Sequence, residues 1–133
     1  MYGYVKVGSA VPKLRVADCV YNKEEILKLV EAAAAKQVRV LSFPELSVTG
    51  YTCADLFFQA PLLHTAEQAI QEIAEATEAL NIFLLIGAPI AVDNQMFNCA
   101  VALYRGKLLG IVPKTHIPNY SEFYEERWFA SAD

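Results

Sequence analysis

A glutamate and a lysine stand directly after two apolar segments that are far apart in the chain. Glu45 ends the run Val38-Arg-Val-Leu-Ser-Phe-Pro-Glu45, and Lys114 follows an apolar stretch that closes with Pro113. A carboxylate held at a strand end can take a proton from a nucleophile, and an ammonium group can stabilise a developing oxyanion. If the two side chains meet, they predict a site that activates a thiol.

Both residues also have ordinary structural explanations. Glu45 could bind local backbone amides or pair with an arginine, and Lys114 could be a solvated lysine just past a strand. Pro44 makes the backbone before the glutamate rigid, because proline has a fixed φ and no amide hydrogen. From these residues alone, both interpretations stay open.

Three cysteines, Cys19, Cys53 and Cys99, are the candidate thiols of the chain. Cys99 lies in an apolar strand and is expected to be a small core residue. Cys53 follows closest after Glu45, yet it is a weak candidate for a nucleophile. Neither the cysteines nor the two histidines have metal-ligand spacing, so no metal site is predicted. Free cysteines in such a pattern favour a reducing cytoplasm.

Length and composition limit the classes of function. A chain of 133 residues is one domain or part of one. No apolar run reaches the ~18 residues of a membrane span, and no signal-peptide pattern opens the sequence. The net charge of -4, with interspersed acids and bases, argues against nucleic acid and anionic membranes as partners. The 55% hydrophobic content suits either a very well-filled core or a fragment whose apolar faces belong against other segments.

Apolar periodicity predicts the element order β-α-β-α-β-β. A first strand carries Val5 to Val11, and a helix over 22–37 is expected to begin at an N-cap at Asn22 with Glu25 as its capping-box acid. The remaining elements are a strand over 38–43, a helix from Pro61 to about Leu80, and strands over 82–90, 96–104 and 107–112. An Arg105-Gly106 turn is expected between the last two. Functional groups of such α/β layers collect at the carboxyl ends of strands.

Two segments resemble the nitrilase superfamily of carbon–nitrogen hydrolases: Phe43-Pro-Glu-Leu-Ser-Val-Thr-Gly-Tyr51 and Pro113-Lys-Thr-His-Ile-Pro-Asn-Tyr120. More specific runs are similar to the glutaminase domains of glutamine-dependent NAD⁺ synthetases: Gly50-Tyr-Thr-Cys-Ala-Asp-Leu-Phe57 and Tyr120-Ser-Glu-Phe-Tyr-Glu-Glu-Arg127. The resemblance covers nearly the whole chain. It implies that residues 1–133 form the first half of a four-layer αββα sandwich, with the nucleophile-bearing half and a synthetase domain outside this chain.

The resemblance also implies catalytic roles. Glu45 matches the general base, and Lys114 matches the lysine that stabilises the oxyanion, in a Cys-Glu-Lys triad. The cysteine of that triad lies beyond the lysine, where none of the three cysteines of this chain stands. The segment alone is therefore expected to be inactive.

Four further residues are implied to bind the substrate: Tyr51, Tyr120, Glu122 and Glu125. Tyr120 matches a position that shapes the glutamine pocket, and Tyr51 is placed beside it or beneath the Gly50 turn. Glu122 matches an auxiliary glutamate near the triad, while Glu125 would bind the charged end of the substrate. The start of an amphipathic helix with solvated acids is the alternative for Tyr120 and for both glutamates.

The implied function is hydrolysis of glutamine to supply ammonia for amidation of deamido-NAD⁺. The segment itself is expected to need no cofactor, whereas the parent protein would use ATP and Mg²⁺ in its synthetase domain. Its expected partners are glutamine, the remainder of its own polypeptide and further copies in a homo-oligomer. Two alternatives stay open: a stand-alone nitrilase-type amidase with another substrate, and a non-catalytic, truncated interaction module.

Overall fold

A single five-stranded sheet, flanked by two helices, makes up the fold of residues 3–133, the part of the chain that this computed structural model describes. Along the chain, the strands and α-helices are β1 (Val7–Ser9), α1 (Cys19–Ala35), β2 (Val40–Ser42), α2 (Ala60–Ala76), β3 (Phe83–Val92), β4 (Gln95–Tyr104) and β5 (Lys107–Pro113). Two short 3₁₀ helices cover Ala54–Phe58 and Glu125–Arg127. The observed order is β-α-β-α-β-β-β: every predicted segment is found, and the predicted order β-α-β-α-β-β counts one strand too few.

The strands lie in the sheet in their sequence order. β1, β2 and β3 are parallel, each joined to the next through a helix, and β3, β4 and β5 are antiparallel. Both hairpins turn through pairs of residues with positive φ: Asp93 and Asn94 at 49° and 63°, Arg105 and Gly106 at 47° and 80°. Two such residues in succession match the hairpin turn that fits the twist of the strands, and the turn expected at Arg105 is confirmed.

The hydrophobic core lies between the helices and one face of the sheet. Leu84 and Ile86 of β3 pair with Leu103 and Val101 of β4, and all four side chains are buried. Ile73 of α2 packs into the same cluster and has no exposed surface. Because side chains alternate across a strand, the intervening residues of β3 and β4 form the opposite face of the sheet, which no helix of residues 3–133 covers.

The predicted start of the first helix is wrong. α1 begins at Cys19, and Asp18 is its N-cap, accepting a hydrogen bond from the Tyr21 amide at 3.0 Å. Asn22 lies inside the helix and is fully buried. Its side-chain amide donates to the Val48 carbonyl oxygen at 2.9 Å, so the asparagine ties the helix to a distant loop instead of capping it.

Two other elements, α2 and β1, are shorter than the apolar pattern indicates. α2 ends at Ala76, because the Thr77 hydroxyl donates to the Ile73 carbonyl oxygen at 2.8 Å and closes the last turn. β1 keeps only three residues, since β2, its one partner, is equally short. α1 and α2 have 17 residues each. No helix in the described part of the chain is both long and apolar enough to cross a membrane.

Candidate active site

The turn that carries Glu45 rests directly on the backbone of β3. The Phe43 amide donates to the Leu85 carbonyl oxygen at 2.9 Å, and the Val48 amide donates to that of Gly87 at 3.1 Å. A Cβ atom at Gly87 would lie 2.3 Å from the Leu46 amide nitrogen, so only glycine allows this approach. The carboxylate is therefore held at the carboxyl end of β2.

Leu46, the residue after the glutamate, has a left-handed backbone with φ of 53°. Leucine rarely adopts this conformation, which costs roughly 1–2 kcal/mol. Its side chain is completely buried in the core, and that burial offsets the cost. Such strain is typical of functional sites, where the surrounding structure fixes one side chain in place.

Lys114 follows β5 and is held by its backbone at both sides. Its amide donates to the Asn98 carbonyl oxygen at 2.8 Å, and its carbonyl oxygen accepts from the Ala132 amide at 3.2 Å. The ammonium Nζ lies 2.7 Å from Glu45 Oε1 and 3.0 Å from Glu125 Oε1. The two predicted catalytic side chains thus meet, although 69 positions separate them in sequence.

Two opposing effects act on the pKa of Lys114. Burial lowers it, but the hydrogen bonds to Glu45 and Glu125, together with their charges, outweigh burial and raise the pKa above its ordinary value of 10.5. The side chain is therefore an ammonium ion at neutral pH. It can donate hydrogen bonds and stabilise negative charge, but it cannot serve as the base.

Glu125 and Tyr51 extend this network away from the cavity. The Glu125 side chain is only 3% exposed, and its Oε2 accepts from the Tyr51 hydroxyl at 2.7 Å. Burial, and next the hydrogen bond to Glu125, raise the pKa of Tyr51 well above its usual range. Both residues were expected to bind substrate, and the structure places Glu125 against Lys114 and Tyr51 against Glu125.

Tyr120 and Glu122 lie outside the network. Tyr120 is 68% exposed, stacks edge-on against Phe123 and borders a shallow depression beside Lys114. Glu122 is exposed on the surface. Ser121, between them, has a positive φ of 53° and redirects the chain, which brings Glu125 rather than Glu122 to the lysine. The glutamate that contacts Lys114 is thus Glu125, whereas Glu122 makes no such contact in the described structure.

Asn98 joins the site, and sequence reasoning missed it. Its side-chain amide donates to Glu45 Oε1, and the residue is 3% exposed within β4. A polar side chain in the otherwise apolar run from Met96 to Tyr104 was the available signal, because buried polar groups need partners. Its partner could not be read from the sequence, since Glu45 is 53 positions away.

A second cluster locks the segment after Lys114 onto the short helix Ala54–Phe58. Arg127 forms two hydrogen bonds with Asp55, at 2.7 and 2.9 Å, and the Trp128 indole donates to the same carboxylate at 3.0 Å. Phe57 is buried beneath them and contacts the Phe129 ring at a centroid distance of 5.0 Å. The two sequence runs with the most specific resemblance are therefore in direct contact.

The three cysteines are free and buried. The Cys53 thiol contacts the carbonyl oxygens of Thr49 and Gly50 at 3.2 and 3.4 Å, and burial raises its pKa. Burial also raises the pKa of Cys19, and that of Cys99 to about 11. Thiols with raised pKa values are poor nucleophiles at neutral pH, so all three behave as core residues.

A cavity of about 380 Å³ opens in front of Glu45 and Lys114, on the sheet face that no helix covers. Its floor is apolar and is formed by Phe43, Leu85, Gly87, Ala100 and Val112, among others. This volume lies within the range of small-molecule sites in proteins. Among residues 3–133, no group of three or more His, Cys, Asp or Glu side chains could hold a metal ion.

Comparison with known proteins identifies the family of the chain. The carbon-nitrogen hydrolase family matches residues 6–133. A glutamine-dependent NAD(+) synthetase from Mycobacterium leprae is 35% identical over 131 residues, which are 98% of this chain. The chain spans 19% of that relative's length.

Solved structures agree. The crystal structure of a glutamine-dependent NAD(+) synthetase from Cytophaga hutchinsonii matches with a TM-score of 0.90 and 31% identity, covering 96% of this chain and 22% of its own. An amidase from Nesterenkonia sp. shares the fold at a TM-score of 0.75 and 20% identity, and this chain covers 48% of it. The fold is part of a nitrilase-type sandwich, and the chain belongs to the carbon–nitrogen hydrolase family.

Proposed function

We propose that this chain is the first part of the glutaminase domain of a glutamine-dependent NAD⁺ synthetase. In that enzyme, glutamine would lose its amide nitrogen, and the ammonia would convert deamido-NAD⁺ to NAD⁺ at a second site. The relatives that carry this name match nearly the whole chain, at 35% identity in Mycobacterium leprae. The proposal includes a cytoplasmic homo-oligomer, in keeping with the three free cysteines.

The observation that carries the proposal is the contact between Lys114 Nζ and Glu45 Oε1 at 2.7 Å, in front of a cavity. Glu45 would take the proton from a cysteine thiol supplied by the polypeptide beyond this chain, then activate the water that hydrolyses the thioester. Lys114, which is charged at neutral pH, would stabilise the oxyanion of each tetrahedral intermediate.

The remaining residues would support these two groups. Glu125 and Tyr51 would keep the Lys114 ammonium in place, while the exposed Tyr120 would border the glutamine pocket. ATP and Mg²⁺ would act in a synthetase domain beyond this chain.

A hybrid enzyme tests the proposal. Residues 1–133 replace the corresponding segment of the Cytophaga hutchinsonii synthetase, and NAD⁺ formation is measured with glutamine and with ammonium chloride as nitrogen sources. We expect the hybrid to use both. Glu45→Gln should lower the glutamine-dependent rate by at least about 100-fold, because the general base is lost, while ammonia still supports synthesis.

Glu24→Gln is the matched control, since Glu24 is an exposed glutamate on α1 that forms an ion pair with Lys23, far in sequence from the candidate site. It should retain the glutamine-dependent rate. A hybrid that uses ammonia but not glutamine would contradict the proposal and favour a non-catalytic interaction module. Hydrolysis of simple amides in preference to glutamine would favour an amidase instead.

A further inference from the structure

Asn98 occupies an unusual position between the two proposed catalytic residues. It lies in β4, opposite Pro89 of β3, and is 3% exposed. Its side-chain amide donates to Glu45 Oε1, while its main-chain carbonyl oxygen accepts from the Lys114 amide at 2.8 Å. One residue therefore holds the base through its side chain and the lysine through its backbone.

The hydrogen bonds at Glu45 are unequally shared by its two oxygens. Oε1 accepts both from Asn98 Nδ2 and from Lys114 Nζ. Within residues 3–133, Oε2 receives no such donor. The oxygen with two donors is fixed in direction and has its lone pairs occupied, whereas the other keeps them available.

We infer that Asn98 is a positioning residue that anchors Glu45 Oε1 and so leaves Oε2 as the atom that exchanges the proton. This inference rests on the proposed glutaminase function. In the first step, the S–H bond of the incoming thiol breaks and an O–H bond to Oε2 forms. The proton moves to the carboxylate and the electron pair stays on sulfur, so the negative charge passes from glutamate to thiolate.

Asn98 is the more rigid of the two hydrogen-bond donors to Glu45. The Glu45 side chain is 41% exposed, so packing alone does not fix its rotamer. Lys114 carries its ammonium on a flexible four-carbon chain and also donates a hydrogen bond to Glu125. Asn98 is short, buried and carried by a central strand, which makes it the less mobile of the two donors.

Two substitutions in the hybrid enzyme separate positioning from structure. Asn98→Leu removes the donor at nearly the same volume, and Asn98→Asp replaces the donor with a second acceptor. We expect kcat for glutamine hydrolysis to fall about 10- to 100-fold with KM little changed, because a displaced base slows chemistry more than binding. The kcat of the Asn98→Asp variant should fall furthest, since two carboxylates would then face each other.

Gln95→Leu is the control, because Gln95 is an exposed amide at the start of the same strand. It should keep the parent rate. Melting temperature and ammonia-dependent synthesis are followed for every variant. If the Asn98→Leu variant does not fold, the kcat and KM of the Asn98→Asp variant test the inference. A higher KM at unchanged kcat, or rates within threefold of the parent, would overturn the inference.

A crystal structure of the Asn98→Leu hybrid tests the position of the Glu45 carboxylate independently of the reaction rate. The Glu45 carboxylate should rotate, and its distance from Lys114 Nζ should exceed the present 2.7 Å. An unmoved carboxylate would refute the positioning role. A parent hybrid without glutaminase activity would instead refute the proposed function, whatever the carboxylate does.

Discussion

The candidate site contains one positively charged side chain, Lys114, which pairs with two glutamates. Lys114 lies between Glu45 and Glu125, which are 41% and 3% exposed as side chains. A buried carboxylate is costly unless hydrogen bonds satisfy it. Glu125 obtains these from Lys114 and from Tyr51. The Tyr51 hydroxyl remains protonated across the neutral range, because burial and Glu125 raise its pKa.

Replacing Tyr51 tests that support. Tyr51→Phe should lower the free energy of unfolding by about 1 kcal/mol, since Glu125 Oε2 loses a donor. Urea unfolding followed by circular dichroism at low protein concentration measures the change. Tyr120→Phe is the comparison, because its exposed hydroxyl forms no hydrogen bond in the described structure, and it should stay within about 0.5 kcal/mol of the parent. Equal losses of unfolding free energy in the two variants would show that the Tyr51 hydroxyl does not stabilise Glu125.

At the scale of elements, the loop after β2 and the strand β3 form one unit. Gly87 makes it possible: beside its approach to Leu46, a Cβ there would lie 2.6 Å from the Pro44 carbonyl oxygen and 2.8 Å from the Glu45 carbonyl carbon. These are backbone atoms, which cannot move away as a flexible side chain could.

Gly87→Ala should therefore displace the Glu45 turn. We expect a loss of about 1–3 kcal/mol in stability, as for other overpacked sites, together with loss of glutamine-dependent NAD⁺ synthesis in the hybrid enzyme. Gly110→Ala is the control, because a Cβ at Gly110 in β5 meets no atom within 4 Å. If Gly87→Ala hydrolyses glutamine as the parent does, the close approach does not position the base.

Elements were easier to predict from the sequence than their ends. The strands β3 to β5 carry long apolar runs and a two-residue turn, and their predicted bounds differ from the observed ones by at most two residues. The start of α1 was wrong because Asn22 has a partner in a distant loop, which no local pattern reveals.

The candidate site shows the same limit. Glu45 and Lys114 were predicted from their places after strands and from resemblance, and the structure brings them together. Glu122 was predicted as an auxiliary glutamate near the triad and Glu125 as a substrate ligand, yet Glu125 contacts Lys114 and Glu122 is exposed. Spacing along the chain does not show how the positive φ of Ser121 turns the segment. Asn98 was missed because its meaning depends on a partner across the sheet.

At the scale of the whole molecule, the sheet has one covered and one uncovered face. Val7 of β1 and Val112 near the end of β5 lie on the uncovered face and are 66% and 65% exposed. Ala100, which pairs with Val112, is exposed beside it. Broad apolar surfaces of this kind favour association with another protein surface.

We expect the isolated chain to self-associate through this face. Val112→Glu should shift sedimentation velocity profiles towards the monomer, because a charge would be buried in the contact. Val20→Glu is the control: Val20 is 63% exposed but lies on α1, on the other side of the sheet. A monomer in the parent chain at high micromolar concentration would contradict the expectation.

The contact between Asp55, Arg127 and Trp128 has a practical consequence. The chain contains one tryptophan, and its indole is hydrogen-bonded to Asp55 and packed 6.0 Å from the Phe57 ring. The same segment carries Glu125 to the lysine. The tryptophan fluorescence of the protein therefore comes from one side chain located where this segment docks, so its emission spectrum reports docking without any added label.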